Sequence, residues 1–461
     1  MRILLTAHRF PPDAIAGVER YTQSLASELT SRGDCVHVVT RRPAMEPNSP
    51  GVEVERIAGG PTVHRFVGGG GGDQDAPEVR RKLESLFEGV LAWSEPEVVH
   101  INHLGDLSPR FAEIARCRGA EVVLSLHDFF LVCAHAHLRR PTGELCDGPR
   151  RGKECHRTCF ASTAPSGLAR WEKRCDDYRS VLGQAGRIIC PSRFIASYFE
   201  AYGVPSERLQ VIPNGVSIPP DEAPELASQP RQGGPVLQLV FLGTVVAHKG
   251  VHMILEALSR AALGAVRLWA IGATPDPEYT RLLRKRAERI AGLEFRLYGP
   301  YDPRILPLLL RDADCAIVPS LVAESFSITT REALVRSVPV LASRLGALPE
   351  AIQDGENGFT FNPDQPEELA SLLRRIATEP GLLRRLRGGA RASRTLTTAQ
   401  HADLVRSVYE DVLSRSSRGT ICVRTEPGIT GGVPGPVAQP GWLNVLRTRH
   451  GGRRWKPKSA R

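Results

Sequence analysis

Residues 324–334 decide the fold of this chain, and they read Glu324-Ser325-Phe326-Ser327-Ile328-Thr329-Thr330-Arg331-Glu332-Ala333-Leu334. The apolar residues 315–320 precede them, as expected for a buried strand that leads through a loop into a helix. Two carboxylates eight positions apart therefore bracket a helix start. Glu324 is expected in the loop and Glu332 about one turn into the helix.

This arrangement has a specific chemical use. The first turn of a helix leaves backbone N–H groups without intrahelical partners, and they favour a phosphate. Carboxylates accept hydrogen bonds from the hydroxyls of a sugar or a ribose. One helix start could thus bind sugar, diphosphate and ribose together. On these residues alone an equal alternative remains, with Glu332 a first-turn acid favoured by the helix dipole and Glu324 an ordinary loop acid.

A second motif links a predicted strand to a helix and reads Phe241-Leu242-Gly243-Thr244-Val245-Val246-Ala247-His248-Lys249-Gly250. Gly243 ends the strand, and Lys249 with Gly250 opens the helix. A lysine there could neutralise a diphosphate at the rim of the same crevice. The G-x-x-x-x-G-K-[ST] spacing of a nucleotide triphosphate loop is absent. The plain alternative is a surface lysine.

Strand-like apolar segments alternate with helical patterns along most of the chain. In the first half the predicted strands cover residues 2–7, 35–40, 52–57, 98–102, 122–126 and 187–190. In the second half they cover residues 236–243, 266–271, 293–298, 316–319 and 338–343. Short runs of β-branched residues without alternation are typical of parallel strands buried on both faces. The predicted fold class is therefore α/β, with two Rossmann-like halves facing a central crevice.

Five sequence motifs of this chain resemble those of retaining glycosyltransferases of the GT-B fold, and in particular of glycosyltransferase family 4. Residues 324–332 resemble the E-x7-E motif of that group, and residues 241–250 resemble its phosphate-binding loop. The others are Val211-Ile212-Pro213-Asn214-Gly215-Val216, Gly346-Ala347-Leu348-Pro349-Glu350 with Asp354-Gly355-Glu356-Asn357-Gly358, and Phe10-Pro11-Pro12 with Gly17-Val18-Glu19-Arg20-Tyr21. The resemblance covers residues 1–415.

The resemblance implies roles for matching residues. His127 and Glu324 would be catalytic: His127, followed by Asp128 at a strand end, would lie near the transferred sugar, which Glu324 would contact. Lys249 would bind the diphosphate and Glu332 the ribose. The predicted donor-binding residues are Gly17, Gly243, Lys249, Phe326, Ser327, Ile328 and Glu332.

Two departures from the family pattern bear on the donor. Many members carry an arginine directly after the strand glycine, whereas this chain has Thr244. One cation that neutralises phosphate is therefore missing, and a protonated His248 would compensate. A common glycine pair in the N-terminal loop reads Ala16-Gly17 here.

The implied activity is hexosyl transfer with retention, from a UDP- or GDP-linked sugar to a hydroxyl acceptor, in polysaccharide, glycolipid or secondary-metabolite glycoside synthesis. The acceptor would be a sugar, a lipid-linked group or a small molecule. No cofactor or metal is required, because Lys249 and a helix start would stabilise the leaving diphosphate. Two alternatives stay open: a nucleotide-sugar 2-epimerase of the same architecture and a non-catalytic nucleotide-sugar-binding subunit.

The predicted organisation has four parts. Residues 1–215 form an N-terminal acceptor domain with an insertion at 129–175, and residues 216–398 form the donor domain. Residues 399–415 form a helix that packs back on the N-terminal domain, and residues 416–461 form a disordered basic tail. The glycine run at 68–72 is expected to be a mobile loop, and residues 217–235 read as a linker.

The insertion offers two further hypotheses. Cys133, Cys146, Cys155 and Cys159 are weak candidates for a zinc site, because no C-x2-C pair occurs and scattered thiols are the simpler interpretation. Residues 134–174 hold nine cations and four anions, with Trp171 among them. They could meet an anionic membrane surface or a lipid-diphosphate acceptor, and a solvated basic loop is the alternative.

The charge is distributed unevenly. The chain has 60 Lys and Arg against 50 Asp and Glu, a net charge of +10. Residues 416–461 hold nine cations and one anion, so the basicity lies mostly outside the predicted enzyme body. Nucleic-acid binding is therefore an unfavoured alternative that would depend on the tail. With no export signal or membrane-spanning run recognised, the protein is expected in the cytoplasm, with peripheral contact at the inner membrane face left open.

Overall fold

The computed structural model describes residues 1–14, 16–42, 50–68, 77–146, 148–160, 167–218 and 236–416. The predicted glycine run, linker and basic tail lie wholly or largely outside these residues. The described chain forms two α/β units, each built on a mainly or wholly parallel sheet with helices on both faces.

The first sheet contains β1 (Arg2–Thr6), β2 (Cys35–Arg42), β3 (Gly51–Arg56), β4 (Thr62–Val67), β5 (Val98–Ile101), β6 (Glu121–Ser125), β7 (Arg187–Cys190) and β8 (Leu209–Val211). Their spatial order is β3-β4-β2-β1-β5-β6-β7-β8. The helices of this unit are α1 (Gly17–Ser31), α2 (Pro77–Ser94), α3 (Phe111–Cys117), α4 (Gly167–Gln184) and α5 (Arg193–Ala201).

The second sheet contains β9 (Leu237–Leu242), β10 (Val266–Ile271), β11 (Leu293–Gly299), β12 (Cys315–Val318), β13 (Val340–Ser343) and β14 (Gly358–Phe361), in the order β11-β10-β9-β12-β13-β14. All its described pairings are parallel. Its helices, and the last helix described, are α6 (Val251–Ala261), α7 (Pro277–Ala287), α8 (Leu306–Leu310), α9 (Ile328–Val335), α10 (Pro366–Thr378), α11 (Leu382–Ala392) and α12 (Thr398–Ser416).

Alternate residues of the central strands bury on opposite faces. In β1, Leu4 packs on the side of α2 and α3, whereas Ile3 and Leu5 pack on the side of α1 and α12. In β9, Phe241 packs with α6 and α10, and Val240 packs with α8 and α9. Burial on both faces explains the continuous apolar runs of these strands.

The strand predicted at 52–57 is present, but the prediction that it is a buried parallel strand is wrong. It is β3, an edge strand that pairs antiparallel with β4 through a short turn, and Val52 and Val54 are 43% and 53% exposed. Its Val-Glu alternation fits an edge strand whose acids pair with neighbouring arginines: Glu53 with Arg42 and Glu55 with Arg65. Strands β4 and β14 were not predicted, because their polar and aromatic residues interrupt the apolar pattern.

Helix α12 follows the second sheet in sequence but packs on the first. Val405 and Tyr409 are fully buried against Ile3, Leu5 and Leu25. The Pro213-Asn214-Gly215 segment lies against the start of α12, where a Cβ on Gly215 would come within 2.7 Å of the Thr397 carbonyl oxygen. The last described helix therefore joins the two units.

Candidate active site

Lys249 and Glu324 meet at the carboxyl ends of β9 and β12. The Lys249 Nζ donates to Glu324 Oε1 at 2.7 Å, and the Ser320 Oγ donates to the same oxygen at 2.7 Å. Burial by itself raises the pKa of Glu324. The nearby ammonium of Lys249 and the hydrogen bonds from Lys249 and Ser320 outweigh it and hold that pKa below its ordinary value. The Glu324 carboxylate is therefore ionised at neutral pH.

Gly250 is what allows Lys249 to approach this loop. It has φ +79°, and a Cβ there would lie 2.0 Å from the Pro319 carbonyl oxygen. A side chain at this position would push the start of α6 away from the loop after β12. Gly243 ends β9 with φ +132°, in another backbone conformation that favours glycine.

The start of α9 is strained and firmly held. Ser327 precedes the helix with φ +61°, a left-handed conformation that costs a non-glycine residue about 1–3 kcal/mol. Its Oγ is 2.7 Å from the Thr330 Oγ1. The Arg331 guanidinium donates to the Phe326 carbonyl and stacks 3.6 Å from the centroid of the Phe326 ring. The first-turn N–H groups of α9, beginning at Ile328, are thereby fixed in direction.

Glu332 lies on α9, about one turn from its start, and is 6% exposed. Tyr301, which follows β11, is close enough to feel its charge: burial first and then Glu332 raise the pKa of Tyr301 to about 12. The Arg20 guanidinium of α1 lies 5.6 Å from the Tyr301 ring centroid. The surroundings of Glu332 therefore extend to the first unit.

The loop that carries Glu324 contacts the first unit directly. Ser325 Oγ donates to the His127 carbonyl oxygen, and Ser192 Oγ donates to the Ser325 carbonyl oxygen at 2.7 Å. The main chain at His127, after β6, is thus joined to the residue that follows Glu324. Sequence reasoning missed both serines, because a contact between halves leaves no local pattern.

The His127 side chain is neutral at physiological pH. Burial lowers its pKa to about 3, although the charge of Asp128 opposes the shift. Its ring lies 4.2 Å from that of Tyr21. Asp128 Oδ2 is 3.3 Å from His103 Nε2, and Asp128 Oδ1 accepts from the Phe130 N–H at 2.7 Å.

Glu350 and Gly346 belong to the downstream motif and support the site from behind. A Cβ on Gly346 would lie 2.4 Å from the Glu324 carbonyl oxygen, and the Ala347 N–H donates to that oxygen at 2.8 Å. The Glu350 carboxylate accepts from the N–H groups of Arg193 and Phe194, at 3.0 and 2.7 Å. This carboxylate of the second unit therefore caps α5 of the first.

One predicted detail, the compensating charge of His248, differs in the structure. Burial and Lys249 lower the pKa of His248, so His248 does not supply the missing cation as a protonated imidazole. Gly17 is the exposed first residue of α1, with nothing within 4 Å of a Cβ built on it. That open space is compatible with the approach of a donor, and the role of Gly17 in donor binding stays a prediction.

The zinc alternative gains no support. Within the described ranges no group of three or more His, Cys, Asp or Glu side chains is arranged to hold a metal ion. The candidate thiols Cys133, Cys155 and Cys159 are free, and the Cys146 Sγ accepts from the Gly148 N–H at 3.4 Å. Burial first, and then the neighbouring cysteines, raise the pKa of Cys155 to about 12.

The basic residues of the insertion largely contact the protein itself. Arg139 donates to the Leu321 carbonyl of the second unit, Arg140 pairs with Glu154 at 3.2 Å, and Lys173 with Asp177 at 2.6 Å. Trp171 is 6% exposed, so it is not available to a membrane surface. Across the described part of the chain, no helix has both the length and the apolar character needed to cross a bilayer.

Two family models match these two units. "Glycosyltransferase Family 4" matches residues 15–218, and "Glycosyl transferases group 1" matches residues 237–379. The chain is a glycosyltransferase of the family 4 type. The expected family and enzyme class are therefore confirmed.

The relatives of this glycosyltransferase carry names that describe different glycosyl transfer reactions. A glycogen synthase of Mycobacterium tuberculosis is 25% identical over 413 residues, which cover 87% of this chain and 91% of the relative. A D-inositol 3-phosphate glycosyltransferase of Geodermatophilus obscurus is 26% identical over 472 residues, covering 95% and 93%. A phosphatidyl-myo-inositol mannosyltransferase of Mycobacterium leprae is 31% identical over 212 residues, covering 45% and 54%.

Solved structures confirm the GT-B fold of the enzyme. A sucrose-phosphate synthase from Thermosynechococcus elongatus superposes with a TM-score of 0.66 at 19% identity, covering 90% of this chain and 99% of that one. Anabaena HepE in complex with UDP and glucose superposes with a TM-score of 0.63 at 17% identity, covering 89% and 100%. At these identities the likeness concerns the fold.

Proposed function

We propose that this enzyme transfers a hexosyl group, with retention of anomeric configuration, from a UDP- or GDP-linked sugar to a hydroxyl acceptor. The observation that carries the proposal is the 2.7 Å contact between Lys249 and Glu324 beside the start of α9. A cation, free backbone N–H groups and a carboxylate converge there. They match the diphosphate and the sugar hydroxyls of such a donor.

The leaving diphosphate is stabilised by Lys249 and the first turn of α9. When the bond from the anomeric carbon to the phosphate oxygen breaks, negative charge grows on the diphosphate and positive charge on the sugar. A fixed ammonium and oriented N–H groups stabilise that negative charge without reorganising. The strained Ser327 and the Arg331 contacts keep those N–H groups in place.

Glu324 and Glu332 bind the two sugars of the donor. The Glu324 carboxylate accepts hydrogen bonds from hydroxyls of the transferred sugar, and its negative charge favours the developing positive charge on that ring. Glu332, one turn into α9, accepts from the ribose hydroxyls. His127, neutral and beside the loop of Glu324, hydrogen-bonds the transferred sugar from the first unit.

Retention follows from a same-face exchange. Glu324 is held by Lys249 and Ser320, and Asp128 by His103 and the Phe130 N–H, so neither carboxylate is placed as a free nucleophile. The acceptor oxygen instead attacks the anomeric carbon from the side that the diphosphate leaves. The acceptor proton passes to the departing diphosphate oxygen, so the charges balance. We place the acceptor on the first unit, beside His127.

A donor panel tests this proposal. The purified full chain is incubated with UDP-glucose, UDP-galactose, UDP-N-acetylglucosamine, GDP-mannose or GDP-fucose, each with glucose or myo-inositol as hydroxyl acceptor, and the released UDP or GDP is measured. We expect release from at least one donor and a glycoside of unchanged anomeric configuration by proton NMR. Folded protein that releases nucleotide from none of them would refute the proposal, and conversion to a free 2-epimer would favour the epimerase.

A further inference from the structure

A small recess lies at the carboxyl ends of β5 and β6, beside His127. It contains about 260 Å³ of empty space, part of which opens to solvent. Its polar lining includes Asn102, His103, His127 and Asp128, and its apolar lining includes Leu104 and Leu131. Little of that space admits a water-sized molecule, so the recess suits a single hydroxyl group and not a whole sugar or nucleotide.

Asn102 is the unexplained residue of this recess. It is 2% exposed, yet neither Oδ1 nor Nδ2 has a hydrogen-bond partner among the described residues. An unpartnered buried amide costs about 1–3 kcal/mol, and a leucine of similar shape would avoid that cost. His127 Nε2, in the same lining, is also buried without a partner in the described structure. Asn102 and His127 thus both present buried polar atoms without hydrogen-bond partners among the described residues at one recess.

The charges of the recess indicate what would bind. Asp128 contributes a negative charge, and no lysine or arginine occurs among the described residues that line the recess. His103 accepts the Gly105 N–H at its Nδ1, at 2.9 Å, so its Nε2 is the nitrogen that donates to Asp128. A phosphate or carboxylate would be repelled here. A hydroxyl both donates and accepts, as the Asn102 amide requires.

We propose that the recess binds an uncharged, hydroxyl-bearing part of a sugar substrate, and that Asn102 is the residue that recognises it. The proposal rests on the proposed function. The hydroxyl belongs to the transferred sugar of the donor or to the acceptor, both of which would meet beside His127. The chemistry of recognition is the same for either source.

The test replaces Asn102 by leucine, with Thr40→Val as the matched control. Thr40 is 1% exposed on the same sheet, its Oγ1 has no partner in the described structure, and it does not line the recess. Thermal melting is measured for each full-length protein. Nucleotide release from the donor that the panel identifies is measured without an acceptor, and again with glucose or myo-inositol present.

We expect Asn102→Leu to melt at the wild-type midpoint or above it, while kcat/KM falls about tenfold or more. If kcat/KM for nucleotide release falls when no acceptor is present, the hydroxyl belongs to the donor. If kcat/KM falls only when the acceptor is present, the hydroxyl belongs to the acceptor. Thr40→Val should leave both reactions unchanged. A midpoint lowered by about 3 °C or more would mean that the amide is structural, for example through a buried water, and would overturn the inference. Unchanged kinetics in an active enzyme would also overturn it. A wild type that releases nucleotide from no donor of the panel fails at the proposed function instead.

Discussion

The Lys249 Nζ lies 2.7 Å from Glu324 Oε1, although 75 residues separate the two in sequence. Their side chains are 32% and 13% exposed, which is intermediate between a surface ion pair and a fully buried one. Lys249, together with the Ser320 hydrogen bond, outweighs the burial that would otherwise raise the pKa of Glu324. The diphosphate-binding cation and the sugar-binding carboxylate are thus kept in place by each other before a donor arrives.

Removal of Lys249 should make stability depend on pH in a specific way. Because the pKa of Glu324 is lowered in the folded wild type, its carboxylate stabilises the fold at pH values above the ordinary pKa of a carboxyl group. That stabilisation is lost as the pH falls through the lowered pKa. In Lys249→Met the two largest effects that oppose burial are gone and the Ser320 hydrogen bond remains, so we expect the pKa of Glu324 to rise and stability to be lost as the pH increases. We expect a cost of about 2 kcal/mol at pH 7 that shrinks by pH 4, measured by urea unfolding. The exposed Lys285→Met is the control, and an equal cost at both pH values would contradict the prediction.

Gly250→Ala should be strongly destabilising. The new Cβ would clash with the Pro319 carbonyl in a left-handed conformation, so we expect a loss of about 3 kcal/mol or more in the free energy of unfolding. Gly388→Ala provides the contrast, because Gly388 lies inside α11 with open space around it. That variant should gain about 0.5–1 kcal/mol. Equal effects of the two substitutions on denaturant midpoints would refute the steric account.

His401 should contribute to acid sensitivity. Its Nδ1 is 2.8 Å from the Pro213 carbonyl oxygen and therefore carries the hydrogen, which leaves Nε2 to accept the Tyr21 hydroxyl at 2.9 Å. Burial lowers the pKa of His401 to about 4, so the unfolded chain binds the additional proton between about pH 4 and 6.5. Stability should fall with acidification in that window. His401→Gln should reduce the slope by about 1.4 kcal/mol per pH unit, and an unaltered slope would contradict this assignment.

Glu350→Gln should weaken the contact between the two units. The variant keeps an acceptor for only one of the N–H groups of Arg193 and Phe194, turns its NH2 toward the other, and loses the charge that favours the start of α5. We expect a loss of about 0.5–1 kcal/mol and a lower kcat, measured by unfolding and by nucleotide release. Glu356→Gln, at an exposed turn position outside the helices, should change neither. A Glu350 variant with the wild-type free energy of unfolding and the wild-type kcat would show that this contact with α5 supports neither stability nor catalysis.

Local sequence predicted the elements that carry the site but not the contacts between them. Buried strands and the helix start at Ile328 follow from apolar runs and from the position of Glu332, and both are local signals. The contacts of Ser325 with His127 and of Glu350 with α5 join residues 198 and 156 positions apart. Their geometry depends on how the two units pack, which no local pattern specifies. Asn102 could have been suspected as a polar residue directly after a buried strand.

The most direct test of the central claim is the rate of nucleotide release by the wild type and by Glu324→Gln, each with the donor selected from the panel. Melting curves establish that both proteins are folded. The account predicts that the wild type releases nucleotide and that the variant is slower by about 100-fold or more, because the charged carboxylate at the transferred sugar is lost. Equal rates for two folded proteins would contradict the assignment of Glu324 to the reacting sugar.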